Sequence, residues 1–391
     1  MVKSFNFAKL PLVFFGKSKI ALLPGLIKRY GNSILLVTGR NSFLKSDASE
    51  KLSAGLEENG IIYHRVIISG EPSPDVVDKA VKEYGRLPVD VVVSIGGGSA
   101  IDAGKAISAM MYKDDPLEVY LEGVGTKDHP GTKVPFIAVP TTSGTGSEAT
   151  KNAVISRTGK NGFKKSLRHD NLVPDIAVID PELTLSCTPS VTAASGMDCF
   201  TQLTEAYLSD KACEYTDAFA LEGLKALKSS LVPAFIHGDD IEARTNMSFA
   251  ALTSGICLAN AGLGVVHGFA SSIGGLFDIP HGLVCGTLMA SANKVIVNRL
   301  RAKSPDNTAL KKYVVLGKIF LDEKKRPDSY YIDGFVDYLY DITDQLALPG
   351  LKKSGIQENA LREIASLTDN KNNPVKLDTD DMTEILSERF L

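Results

Sequence analysis

The feature that most constrains this chain is a change of hydrophobic period near residue 186. Before it, short apolar runs recur: "SILLVTG" (33–39), "IIYHRVIIS" (61–69), "VDVVVSIGGGS" (89–99), "VPFIAVPTTSG" (134–144) and "IAVIDPEL" (176–183). Helical stretches lie between them, among them "SPDVVDKAVKEYGRL" and "AIDAGKAISAMMY". Ser73 reads as an N-cap with Pro74 at the first helical position. Apolar strands alternating with helices predict a parallel sheet covered on both faces. After 186 the strand signals stop, and every later segment carries helical periodicity. The expected architecture is α/β plus all-α: a Rossmann-like dinucleotide-binding domain over 1–185, then a helical domain over 186–391. A ligand cleft between the two is expected.

At 391 residues the chain is long enough for two to three domains. The net charge of −3 gives no broad reason to bind nucleic acid or an anionic membrane. Five cysteines (187, 199, 213, 257, 285) show no metal-finger spacing, which suits reduced thiols and a cytoplasmic location. The N-terminal stretch lacks the long apolar region and cleavage site of a signal peptide. Residues 251–277 contain no Asp, Glu, Lys or Arg, but they do contain six glycines, an Asn and a His. That predicts a buried helix pair with close backbone approach rather than a membrane span.

Two loops carry the cofactor signal. "SIGGGSAIDAGK" (94–105) follows a strand and opens a helix, so its backbone N–H groups and the helix N-terminus suit a pyrophosphate. It is neither a GxGxxG fingerprint nor a P-loop. "VPTTSGTGSEAT" (139–150) also follows a strand and offers a row of hydroxyls between glycines. Taken separately, the first is also compatible with a tight strand-to-helix turn and the second with a polar surface loop. Two such loops at carboxyl ends of parallel strands point to a nucleotide.

A metal signal lies downstream. "GMDCFTQLTEAYLS" (196–209) puts Asp198 and Gln202 at i and i+4 on one helix face. His267 lies in the charge-free helical stretch, and His281 follows Pro280 at a chain turn. A single histidine in an apolar helix is more often a satisfied core residue. Two histidines around a glycine-rich stretch, with an Asp on an earlier helix, point to a shared Fe(II) or Zn(II).

In their order, "GGGSAIDAGKAI", "PTTSGTGSEAT", "VIDPELT", "GMDCFTQLTEAY" and "GLGVVHGFASSIGGLFDIPHG" resemble the iron-containing (group III) alcohol dehydrogenases. That family has the dehydroquinate-synthase-like fold. The resemblance spans essentially the whole chain. It implies an NAD(P)-dependent alcohol dehydrogenase with a divalent metal between two domains, acting on a small-molecule alcohol, polyol or sugar acid; homodimers are common in the family. It places the pyrophosphate at Gly97, Gly98 and Ser99, and Asp102 near the nicotinamide end. Thr141, Thr142, Ser143 and Gly144 line the cofactor cleft, Lys164 contacts the cofactor, and Gly39 and Ser73 complete this set. The family's Asp, His, His, His ligands map to Asp198, Gln202, His267 and His281, and Asp198, His267 and His281 carry the catalytic role.

The chain departs from the family pattern in three places. Gln202 replaces a histidine ligand, which puts iron in doubt and leaves room for zinc. Ser271 stands where many members have a further His, so no imidazole relay is expected there. Gly39 and Arg40 follow the first strand where NAD-preferring members have an acid, which favours NADP over NAD. The run Lys165, Arg168, His169 reads as a solvated charge run, or else as a means of capturing an acidic substrate. One branch of the family oxidises the terminal hydroxyl of 3-deoxy-manno-octulosonate, and "FNFAKLPLVFFG" and the altered ligand set are compatible with it. Two rivals are a dehydroquinate-synthase-like lyase and a non-catalytic nucleotide-binding relative with a degraded metal site.

Overall fold

A computed structural model describes all residues except 1, 3, 41, 160 and 161. Its first half is a parallel sheet built from β1 (Leu12–Phe15), β2 (Ser33–Gly39), β3 (Ile62–Ile68), β4 (Val91–Gly96), β5 (Phe136–Pro140) and β8 (Ile176–Ile179). The spatial order is β1-β8-β5-β4-β2-β3, with every pairing parallel. Strands β4, β5 and β8 are buried along their whole length, so they read as continuous apolar runs rather than alternating ones. Helices α1 (Leu23–Ile27), α2 (Asp47–Glu58), α3 (Pro74–Tyr84) and α4 (Gly98–Met110) connect or cover the strands. Ser73 caps α3 by accepting from the Val76 amide, with Pro74 at the first position.

Three strands escaped the sequence reading. Residues 12–15 carried no strand expectation, yet β1 joins the sheet edge beside β8, with Leu12 opposite Ile176. Residues 152–168 form an antiparallel pair, β6 (Asn152–Arg157) and β7 (Phe163–Arg168). Its charged positions, including Lys164 and Lys165, masked the strand pattern.

From residue 189 onward the fold is helical: α5 (Pro189–Leu208), α6 (Glu214–Ile236), α7 (Ile241–Ala261), α8 (Val265–Leu276), α9 (His281–Lys303), α10 (Thr308–Phe320), α11 (Asp328–Gln345), α12 (Leu361–Leu367) and α13 (Thr379–Glu388). Its core is one contiguous cluster around Phe200, Phe269, Tyr313 and Phe335. The charge-free stretch is the end of α7 and the whole of α8, which meet at 96°. No single helix among the described residues is long and apolar enough to cross a membrane. Glycines permit the expected close approach. A Cβ on Gly255 of α7 would lie 2.1 Å from the Gly146 carbonyl oxygen, so α7 rests directly on the 141–150 loop.

Candidate metal and cofactor site

The residues assigned to the cofactor gather at the carboxyl ends of adjacent strands. Gly39 ends β2, Ser73 follows β3, Gly97–Ser99 follow β4 and Thr141–Gly144 follow β5. From β2 the chain steps outward to β3, while β4 leads the other way to β5. The crevice between β2 and β4 is therefore a topological switch point, where open parallel sheets bind ligands. The two lips are close, since a Cβ on Gly96 would lie 3.3 Å from the Gly39 amide nitrogen. No side chain caps α4 at Gly97, which leaves its first amides for a ligand. The two glycine loops also touch. A Cβ on Gly98 would meet the Thr145 side chain at 2.7 Å, and one on Gly97 would meet Thr142 at 3.4 Å.

A buried lysine, which the sequence reading passed over, holds these loops in register. Lys105 of α4 is fully buried, and its Nζ donates to the carbonyls of Ser147 (2.8 Å), Thr150 (3.0 Å) and Asn152 (2.8 Å). It also reaches the Ser147 and Thr150 hydroxyls at 3.2 and 3.0 Å. Burial pushes its pKa down to about 8, opposed by Asp102 and Glu148, so the ammonium persists at neutral pH. Asp102 sits one turn before it. Its carboxylate accepts from the Ser147 hydroxyl and from the Val154 amide at 3.0 Å. Asp102 thus points inward and ties α4 to β6, an arrangement the sequence reading did not expect. Ser73 likewise has a structural partner, since its hydroxyl is the α3 cap. Lys164 is buried on β7 and pairs with Glu71 at 3.1 Å.

The metal candidates converge from three helices. Asp198 comes from the middle of α5, His267 from α8 and His281 from the first position of α9, not from a free turn. Asp198 Oδ1 lies 3.3 Å from His267 Nε2 and 3.8 Å from His281 Nε2. The side chains of Asp198 and His267 are 3% and 5% exposed, and that of His281 is 25% exposed, so the group opens to solvent past His281. Gly282 allows this convergence, because a Cβ there would lie 2.2 Å from the Ala194 carbonyl oxygen.

Two residues join this group that the sequence reading did not pick. Glu205 Oε2 lies 2.6 Å from His267 Nδ1, and its other oxygen accepts from the Val266 amide at 2.7 Å. This carboxylate fixes the His267 ring and aims Nε2 at Asp198. The signal was present, because Glu205 lies seven residues after Asp198 on the same face of α5 as Gln202. Cys285, one turn after His281 on α9, brings its Sγ to 3.8 Å from His267 Nε2. One donor atom from each of Asp198, His267, His281 and Cys285 falls within 4.8 Å of all the others.

The electrostatics suit a cation. Burial works against ionised Asp198; with His281 neutral at pH 7, the hydrogen bond and charge of His267 are what hold its carboxyl below the usual range. Burial also opposes a charged His267. The Cys285 thiol, itself pushed up to about 11 by burial, is neutral at pH 7, so the Asp198 and Glu205 carboxylates are what raise this imidazole. Burial and the nearby Lys164 push His281 down to about 3, leaving a neutral ring with a free lone pair. Gln202 Oε1 and His281 Nδ1 are buried without a hydrogen-bond partner. A buried carboxylate and two imidazoles at one point, with an orphaned amide oxygen one turn further along α5, fit a divalent ion.

The cofactor loop reaches the helix that carries Asp198. A Cβ on Gly144 would lie 2.8 Å from Ser195 Cβ, less than one turn from Asp198 on α5. The family model for iron-containing alcohol dehydrogenases matches residues 11–181, and the C-terminal model of the same family matches 192–390. The chain belongs to the iron-containing alcohol dehydrogenase family. It is 31% identical over 377 residues to 1-propanol dehydrogenase PduQ of Citrobacter freundii, covering 93% of this chain and 95% of that protein. It is 34% identical over 273 residues to long-chain-alcohol dehydrogenase 1 of Geobacillus thermodenitrificans, covering 70% of this chain and 68% of that protein. A solved 1,3-propanediol oxidoreductase superposes with a TM-score of 0.89 at 26% identity, covering 99% of this chain and all of the other.

In this member of the iron-containing alcohol dehydrogenase family, Ser271 does not stand in for the missing imidazole. Its hydroxyl donates back to the His267 carbonyl at 2.8 Å. Of the charge run, Arg168 pairs with Glu122 at 3.2 Å and the His169 ring accepts from the Asn171 amide at 3.0 Å.

Replacing Glu205 by Gln should weaken divalent-metal affinity by about 10- to 100-fold. Competition titration with a chelating indicator measures it, and an unchanged affinity would remove Glu205 from the site. Gln202→His should tighten binding by about tenfold, or ~1.4 kcal/mol, if the side chain faces the ion. The same titration reads it, and no change would place residue 202 out of contact.

Proposed function

We propose that this enzyme catalyses reversible, metal-dependent hydride transfer between an alcohol and a nicotinamide cofactor. The observation that carries the reading is the contact chain from the nucleotide loops to the metal group. Gly97 and Gly98 abut Thr142 and Thr145, and Gly144 abuts Ser195, just before Asp198. A ligand stretched along the switch-point crevice would present its far end to Asp198, His267 and His281.

When bound there, a divalent ion supplies Lewis acidity toward the alcohol oxygen and the nicotinamide accepts hydride. The rest is done by the chain's own residues. Asp198 contributes negative charge, His281 contributes a neutral nitrogen, His267 would contribute its Nε2 after giving up its proton to solvent, and Glu205 fixes the His267 tautomer. The α4 N-terminus and the Gly97–Ser99 backbone take the pyrophosphate, while Lys105 keeps both loops in place. The 141–150 loop and α5 together exclude water from the inner end. With Ser271 bonded to its own helix, the alcohol proton leaves through water or a ribose hydroxyl. The division near residue 185 then separates a cofactor-holding part from a metal-holding part.

For the cofactor we favour NADP. β2 ends without a carboxylate for a ribose 2′-hydroxyl, and the exposed Arg40 follows Gly39. We take the ion to be Zn(II) or Fe(II). For the substrate we favour small alcohols and diols. Arg168 and His169 are already engaged within the chain, which weakens the case for a dedicated acid-binding patch, so a sugar acid is the secondary candidate. A degraded site is disfavoured because only position 202 departs from the ligand pattern and the other donors still converge.

The test is metal analysis of the purified protein with NADP and NAD reduction over primary alcohols, diols and sugar acids including 3-deoxy-manno-octulosonate. About one metal per chain with alcohol-dependent reduction supports the proposal. Reduction by none of the panel at full metal occupancy would overturn it.

A further inference from the structure

With Gln202 in place of a histidine, the family's fourth donor is gone, and the structure offers another. We propose that Cys285 supplies the fourth metal ligand, as a thiolate, so that the site is Asp198, His267, His281 and Cys285. This rests on the metal reading above and goes beyond it.

The spacing carries the inference. Zinc-type bonds of about 2.0–2.1 Å to N and O and about 2.3 Å to S give tetrahedral edges of roughly 3.3 Å (N–O) and 3.6 Å (N–S). The observed edges are 3.3 Å for His267–Asp198, 3.8 Å for His281–Asp198 and 3.8 Å for Cys285–His267. They match the expected values to within about 0.5 Å. His281 and Cys285 stand at i and i+4 on α9, so one helix face offers both donors. Cys285 is fully buried, so it does not reach this group as a solvent-facing side chain. Cys187, Cys199, Cys213 and Cys257 lie outside the cluster.

The chemistry agrees. On binding, the thiol gives its proton to solvent and a sulfur–metal bond forms, with no change of oxidation state. A thiolate is charged and a stronger donor than the neutral Gln202 amide. It shifts the site from the hard N/O set toward the softer donors that favour zinc. It also completes a tetrahedron, which an alcohol must open or expand in order to bind.

X-ray absorption at the zinc edge of the intact zinc-loaded protein tests this without a variant. One sulfur neighbour at about 2.3 Å is expected. In parallel, the cobalt-substituted protein should show a thiolate-to-cobalt charge-transfer band. That band should vanish in Cys285→Ser while one cobalt per chain is retained. One metal per chain with only N and O neighbours would overturn the assignment and leave the proposed function standing. A band that survives in Cys285→Ser would also overturn it, by placing the sulfur elsewhere. Failure of the wild-type protein to bind any divalent metal would overturn the proposed function as well.

Discussion

Asp198→Ala is expected to abolish stoichiometric metal binding and to lower kcat/KM for alcohol by at least about a thousandfold. The side chain is 3% exposed and lies within 3.8 Å of both histidines. It brings a buried negative charge to a divalent ion held otherwise by two imidazoles and the proposed Cys285 thiolate. Losing a bound Lewis acid removes several kcal/mol of transition-state stabilisation, and each ~1.4 kcal/mol is tenfold in rate. The fold should survive, because the carboxylate packs against polar groups and its loss relieves the cost of burying a charge. Metal content, circular dichroism and steady-state kinetics of the variant decide the matter. Wild-type metal content with wild-type turnover would show that the constellation is not the active centre.

Lys105→Met is expected to have the largest effect on stability, at about 3–5 kcal/mol. This is the scale for removing one partner of a buried charge network. The ammonium serves five oxygens of the 147–152 segment and lies 3.9 Å from Asp102. Methionine matches its length but leaves those acceptors and the Asp102 carboxylate without their cation. The loop that Gly144 and Gly146 press against α5 and α7 should loosen, so KM for the nicotinamide cofactor should rise as well. Denaturant unfolding gives the stability, and cofactor titration gives the second readout. A loss below about 1 kcal/mol would mean that the five contacts do not organise the loop.

How much was legible in advance differed by element. Strands β2, β4, β5 and β8 are fully or largely buried, so each wrote its own apolar run. β1 was missed because its four residues become a strand only through pairing with β8, more than 160 positions away. β6 and β7 were missed because Lys164 and Lys165 interrupt any apolar pattern; the pair is held by its ladder and by contacts with α4 and α8 instead. In the site, Asp198, His267 and His281 could be named from their motifs. Glu205 was in the quoted motif but gained a role only when α8 brought His267 against it.

The sequence by itself determined the sequence-local properties of this protein. These are the alternation of strand and helix, its end near residue 186, the glycine loops after β4 and β5, and the residue types able to hold a metal. Each follows from side-chain period or from donor chemistry within a few residues, so no folding was needed to read it. Tertiary structure decided which groups share one point in space. It put Lys105 beneath the nucleotide loops, turned Asp102 inward, set Glu205 behind His267 and brought Cys285 to the metal group. These contacts join residues that are between three and more than sixty positions apart. They depend on helix packing geometry, and no local pattern in the chain encodes that.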